Sequence, residues 1–233
     1  MRAAVLLSVL ALCGCAAGTD AIVQTVRTAA GGDAGADRAR LNPNFRYLRV
    51  TIEGRVALLA LGDVDEHPQG PIEVWYSAER EVLRFQNGRL VGATGLTTEW
   101  RNVLLPELPA WSALARSEAP VHWVRTRDVM PGYRYGVRDA LALRVSPQPG
   151  RSALRDVDPQ RLTWFEERIE PAALPDAALP PARYAVQFAK PDHPGAQGAP
   201  PLLGEEGKGV VVYGEQCLAP KVCFTWQRWP AGS

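Results

Sequence analysis

The 233-residue chain has almost no charge of one sign to spare: 26 Lys and Arg stand against 25 Asp and Glu, a formal +1 at pH 7. With no broad basic field, nucleic acid is not the expected partner. Cysteine is scarce as well, and four Cys over this length cannot build a disulfide scaffold. The three His, at His67, His122 and His193, fall on unrelated segments. Long apolar runs are missing too: the one at residues 3–12 is far short of the roughly 20 residues that span a bilayer. Signatures of catalysis are also thin. Ser77, Ser112 and Ser117 sit in no G-x-S-x-G elbow, and GEEGKG at 204–209 lacks the phosphate-loop spacing and puts two carboxylates where phosphate would lie. Glu166 and Glu170 are a conceivable acid pair that no pocket selects. No cofactor and no metal is expected; Asp63, Asp65, Glu66 and His67 read either as a solvated loop or, if the backbone converges them, as a cation cluster.

What the sequence has in quantity is Gly, at 21, and Pro, at 20, with 46% hydrophobic and 22% charged residues. That is apolar enough for a core and too often broken for long helices, so short strands on tight turns are expected. The opening adds an address. Arg2, the apolar run and then Leu12, Cys13, Gly14, Cys15 form a secretory signal that looks like a bacterial lipoprotein signal, with cleavage after Gly14 and Cys15 as the lipid-bearing first residue. Only a thiol can carry the thioether, and acyl chains contribute roughly 0.8 kcal/mol per buried methylene. Ala16, rather than Asp, follows the lipidated Cys, which by similarity to Gram-negative lipoproteins favours the outer membrane with the fold facing the periplasm.

Residues 1–14 are thus a signal peptide, 15–41 a lipidated N-terminus and a Gly-containing tether, with a short helix or strand conceivable at 21–30, and 42–233 a single β-rich domain. Period-two patterning begins at 45–52 (FRYLRVTI), turns at Glu53-Gly54 and returns at 55–62 (RVALLALG). Further strands are expected at 72–77, 81–86, 89–92, 122–127, 141–146, 162–169, 184–188, 209–213 and 222–226, and Asn87-Gly88 predicts a type I′ hairpin turn. Pro106 and Pro109 leave room for a short helix at 110–116, and four Pro at 171–181 make a surface crossover. A polar loop is expected at 191–208. The fold class is all-β: an antiparallel barrel-like or sandwich body of nine to twelve strands with few short helices.

Once Cys13 leaves with the signal and Cys15 is lipidated, Cys217 and Cys223 remain. A disulfide across the turn at Ala219-Pro220 is the expectation, with free thiols the alternative and no His close enough in sequence to suggest a metal site. Seven Trp and six Tyr offer stacking surfaces for sugars or a partner, and Trp75, Tyr76 and Trp100 are the candidate contacts, against the ordinary use of strand aromatics as core.

FRYLRVTIEGRVALLAL at 45–61, VWYSAEREVLRFQNGRLVGATGL at 74–96, TEWRNV at 98–103 and a late FTWQRW at 224–229 resemble the YjbF/GfcB family of lipoproteins, which are associated with group 4 capsule and exopolysaccharide secretion. The resemblance implies a β-barrel-like or sandwich protein beneath the outer membrane, a large outer-membrane β-barrel as secretion partner, polysaccharide as a possible ligand, and no catalytic residue. The expected function is that of an outer-membrane-anchored periplasmic accessory lipoprotein in capsule or exopolysaccharide assembly, acting by binding; the alternative is a periplasmic polysaccharide-modifying enzyme.

Overall fold

A computed structural model gives the architecture and describes residues 33–170, 179–188 and 209–231. Alternating side chains joined by tight turns build twelve antiparallel strands: β1 (Tyr47–Ile52), β2 (Arg55–Asp65), β3 (Ile72–Tyr76), β4 (Val82–Gln86), β5 (Arg89–Thr94), β6 (Glu99–Leu104), β7 (Val121–Met130), β8 (Arg134–Ser146), β9 (Thr163–Ile169), β10 (Ala182–Gln187), β11 (Val210–Ala219) and β12 (Val222–Trp229). Each strand pairs with the next in sequence, and β1 pairs with β12, so the sheet closes into an up-and-down barrel without a free edge. Among the described residues two short helices accompany it, α1 (Asp33–Arg38) and α2 (Trp111–Leu114), with one 3-10 turn at Pro159–Arg161.

The inside of the barrel is filled rather than hollow. Leu48, Trp75, Phe85, Trp100, Phe165, Tyr184 and Trp226 are among its buried side chains, and large rings reach across it: Phe85 and Trp226 have centroids 4.7 Å apart, and the Trp100 indole N–H donates to the Leu218 carbonyl at 2.9 Å. Gly214 permits this filling, since a Cβ there would meet the Trp226 ring at 2.6 Å. The outward faces carry charge instead. Arg144 and Arg168 both donate to Glu166 across β8 and β9, Arg183 pairs with Glu215 across β10 and β11, and Arg84, Arg101 and Arg138 are exposed. A barrel that spans lipid has the opposite distribution, an apolar band outside. Two outer patches are covered: α1 lays Ala36 on Tyr47, Leu58 and Trp229, and the β8–β9 connection lays Leu154 and Val157 on Trp164 and Tyr213.

Several expectations shift. Helix α1 lies within the stretch read as tether and packs on β2. Strand β2 does not stop near Gly62: a bulge between Leu61 and Asp63 carries it on to Asp65, with Gly62 lying against the Tyr76 ring. Strand β6, given no strand of its own above, is present, and β7 and β8 run longer than 122–127 and 141–146. The helix near 110–116 contracts to Trp111–Leu114. The signal segment, Cys15, residues 21–30, most of the Pro-rich crossover and the loop at 191–208 lie outside the described residues.

Candidate functional site

The two ends of the barrel differ. At one end lie the short turns Glu53-Gly54, 77–81, 95–98, 131–133 and 220–221 together with the β9–β10 connection 170–181; at the other lie the connections 66–71, 105–120 and 147–162, the Asn87-Gly88 turn, and the chain entering β1 and leaving β12. The loop-rich mouth is stitched together by side chains. Gln86 donates to the Gly70 carbonyl at 2.9 Å and hydrogen-bonds His67 Nδ1 at 2.8 Å, Asn87 donates to the Gln69 carbonyl at 3.2 Å, and the Trp111 indole N–H donates to the Asn87 carbonyl at 2.9 Å. Trp111 is pressed into the barrel end by this bond, its ring centroid 4.9 Å from Phe165 and 5.3 Å from Tyr184.

Beside that plug sit two guanidinium groups with different fates. Arg228 is satisfied: Nη2 donates to both Glu73 carboxylate oxygens, at 3.1 and 3.0 Å, and Nε donates to the Val211 carbonyl. Arg89 is 4% exposed and stacks its guanidinium 3.9 Å from the centre of the Trp111 ring. A cavity of about 560 Å³ opens here, lined by both arginines, Glu73, Trp111 and the loops around Pro68 and Pro109.

Deeper in, charge is carried on the inward face. Strand β7 alternates Trp123, Arg125, Arg127 and Val129 inward, and β8 answers with Asp139 in phase with Leu141. Asp139 accepts from Arg125 Nε at 3.0 Å and Nη2 at 2.9 Å, and from Arg127 Nε at 2.7 Å and Nη2 at 3.1 Å. Burial works against its charge, but the Arg127 hydrogen bonds and the two cations outweigh it and hold the carboxyl below its ordinary range. Glu167 meets Arg125 at 3.4 Å, and there burial wins: its carboxyl is pushed up, against the pull of Arg125 and Arg89. Tyr184, which hydrogen-bonds Glu167, is raised by burial first and by the carboxylate second. The arrangement is one of ion pairs clamped in place, and among the described residues no group of three or more His, Cys, Asp or Glu is placed to hold a metal ion.

The sequence-predicted residues scatter. Trp75 and Trp100 are fully buried and belong to the barrel interior, so neither can stack on a sugar or a partner. That corrects two of the three aromatic candidates: in-phase aromatics on closed strands fill the core. Tyr76, one residue out of phase with Trp75, is 38% exposed and lines a separate outer groove with Arg84, Arg101 and Leu104. Cys217 and Cys223 face each other across β11 and β12 and are bonded. The acidic segment at the end of β2 is engaged elsewhere, Asp65 with Arg84 at 3.7 Å and His67 with Gln86, and Glu166 is taken up by Arg144 and Arg168. Missed altogether were Arg89, Arg125, Arg127 and Asp139. The signal for the β7 pair was visible, since period two places Arg125 and Arg127 in phase with Trp123; Arg89, directly after the Asn87-Gly88 turn, left none.

A structure titled as that of the hypothetical lipoprotein YmcC from Escherichia coli (K12) is similar, with a TM-score of 0.48 and 15% identity over 81% of this chain and 84% of that one. No curated protein matches the chain. The family described as group 4 capsule polysaccharide lipoprotein GfcB, YjbF matches residues 40–174, more than half of the length and the stretch that supplies β1 to β9, α2 and the Arg89 side of the mouth. The chain belongs to the YjbF family of capsule polysaccharide lipoproteins.

Proposed function

We propose that the protein is an accessory lipoprotein of capsule or exopolysaccharide assembly, lipid-anchored through Cys15 to the periplasmic face of the outer membrane, and that it acts by binding an outer-membrane β-barrel secretion partner or the glycan itself. Membership of the YjbF family carries the reading. Two features support it. The lipoprotein-like signal at 1–15 supplies an anchor, and the charged outer wall suits a barrel that stands in water beside the membrane. The loop-rich mouth offers the natural contact region, since binding groups gather on loops held by a rigid scaffold. The buried carboxylates Asp139 and Glu167 are committed to guanidinium partners, an arrangement that favours binding over turnover.

The test is a deletion strain with export of polysaccharide as the readout, joined to affinity capture of the lipidated protein from outer membranes. Export should fall on deletion and return with the wild-type chain, and capture should bring down the barrel partner or the polysaccharide. Normal export in the deletion strain, or turnover of the polysaccharide by the purified protein, overturns the reading.

A further inference from the structure

The mouth cavity contains an imbalance that its neighbours do not share. Arg89 lines it and is almost wholly buried, yet Nε and Nη2 have no hydrogen-bond partner among the described residues. These two nitrogens are one edge of the guanidinium, the pair of parallel N–H groups that a planar oxyanion accepts bidentately. The stacking on Trp111 at 3.9 Å, with Trp123 at 5.7 Å, engages the face of the group and leaves its in-plane donors unanswered. A buried cation with unmet donors is costly, and an oxyanion relieves both charge and donors at once. Arg228 next to it is already neutralised by Glu73, Glu107 on the rim is exposed, and Glu167, the buried carboxyl that acts on Arg89, is paired with Arg125 and makes no hydrogen bond to the Arg89 edge.

The rest of the lining suits a saccharide. Pro68, Pro71, Leu108 and Pro109 offer apolar surface for the C–H faces of a ring, and about 560 Å³ lies within the range of small-ligand sites and is ample for one sugar unit. We infer that this cavity is a subsite for a single acidic sugar unit, whose carboxylate or ester phosphate pairs with the unpartnered edge of Arg89. That edge is out of reach of bulk water in the free chain, so binding requires side chains packed around Arg89 to yield, among them Trp111, which lines the cavity, stacks on the guanidinium face and is tied to the Asn87 carbonyl. The inference rests on the glycan-binding form of the proposed function and names the part of a glycan that would be held.

The experiment is calorimetric titration of the mature lipidated protein in detergent with glucuronate, glucose 1-phosphate, glucose and inorganic phosphate, repeated on Arg89→Gln and Arg89→Lys. At least one acidic sugar should bind, glucose should not, and both variants should bind about tenfold or more weakly. Glucuronate alone binding identifies a carboxylate unit, and glucose 1-phosphate alone a phosphate ester. If Arg89→Gln does not fold, Arg89→Lys carries the test, because it keeps the charge and loses the two-donor edge. No binding by either acidic sugar, equal binding by glucose, inorganic phosphate as tight as glucose 1-phosphate, or undiminished binding by Arg89→Lys overturns the site. Failure here with export still lost on deletion removes the subsite and leaves the assembly role; normal export on deletion removes the role itself.

Discussion

Trp100 is held from three sides: the guanidinium carbons of Arg125 and Arg127 lie 4.5 and 4.4 Å from its ring centre, and its N–H reaches across the barrel to Leu218. Trp100→Ala should therefore cost about 3–5 kcal/mol in urea unfolding through cavity formation and loss of the cation–π contacts. Tyr76→Ala on the outer wall, where the ring is 38% exposed and lies over Gly62, should cost only about 1 kcal/mol, so equal losses for the two would contradict the inside–outside assignment. Glu167 makes a pH prediction. Its carboxyl is raised in the fold, mainly by burial, so between its unfolded pKa and the higher folded one the native state holds a proton that the unfolded chain has released. This group's contribution is full below the unfolded value and is lost as pH rises through the folded one. Asp139, held low, acts oppositely, contributing above its unfolded pKa and losing that contribution as pH falls toward the folded one. Glu167→Gln removes the loss that Glu167 suffers as pH rises, so unfolding free energy at pH 8 relative to that at pH 4 should be higher in the variant than in the wild type, and an unchanged difference would show that Glu167 does not titrate in this way.

The element scale separates what patterning can reveal from what it cannot. Hairpins β1–β2 and β3–β4 were readable because apolar side chains alternate on both sides of a short turn, and Asn87-Gly88 announced the next one. Strand β6 was not, because Trp100, Arg101, Asn102 and Val103 show no clean alternation: a bulge between Arg101 and Leu104, with Asn102 at φ 46°, bends the strand toward β7, and its register with β5 is confined to Ala93↔Trp100. Closure was equally hidden, since nothing local in β1 or β12 says that they pair. The mouth escaped for the same reason: the residues around Arg89 come from four separated segments. Gly88 tests the turn. It has φ 75°, and a Cβ would come within 2.3 Å of Val211 across the mouth, so Gly88→Ala should cost well over 1 kcal/mol in chemical denaturation, whereas Gly54→Ala, at the same φ but in open space, should cost about 1 kcal/mol from backbone strain alone. The Cys217–Cys223 bond closes a short ring, so replacing both by Ser should lower stability by about 2 kcal/mol, measured against the wild type under non-reducing conditions.

At the scale of the molecule, the proposed function requires that a barrel with a filled core and a charged outer wall be brought to a membrane by something other than its strands. Cys15→Ser should release the protein from the membrane fraction or leave an unprocessed precursor, and mass spectrometry of the N-terminus should find an acylated Cys15 in the wild type; an unmodified Ala16 start would refute lipidation. The seam between β1 and β12, Tyr47↔Trp229 through Ile52↔Phe224, has a consequence in time as well as in space. The partners of the first strand are the last to be synthesised, so a chain emerging N-terminus first carries an unpaired strand edge until Val222–Trp229 arrives, and through that interval it is open to pairing with other chains. Stopping synthesis after Lys221 would yield not a smaller barrel but an open sheet with two raw edges, cleared by proteases or lost to aggregates. A circular permutant that joins residue 231 by a linker to residue 33, so that α1 is kept, and begins instead at Gly132 would make its seam strands neighbours in sequence, shifting the late step to the β7–β8 junction without altering the finished wall.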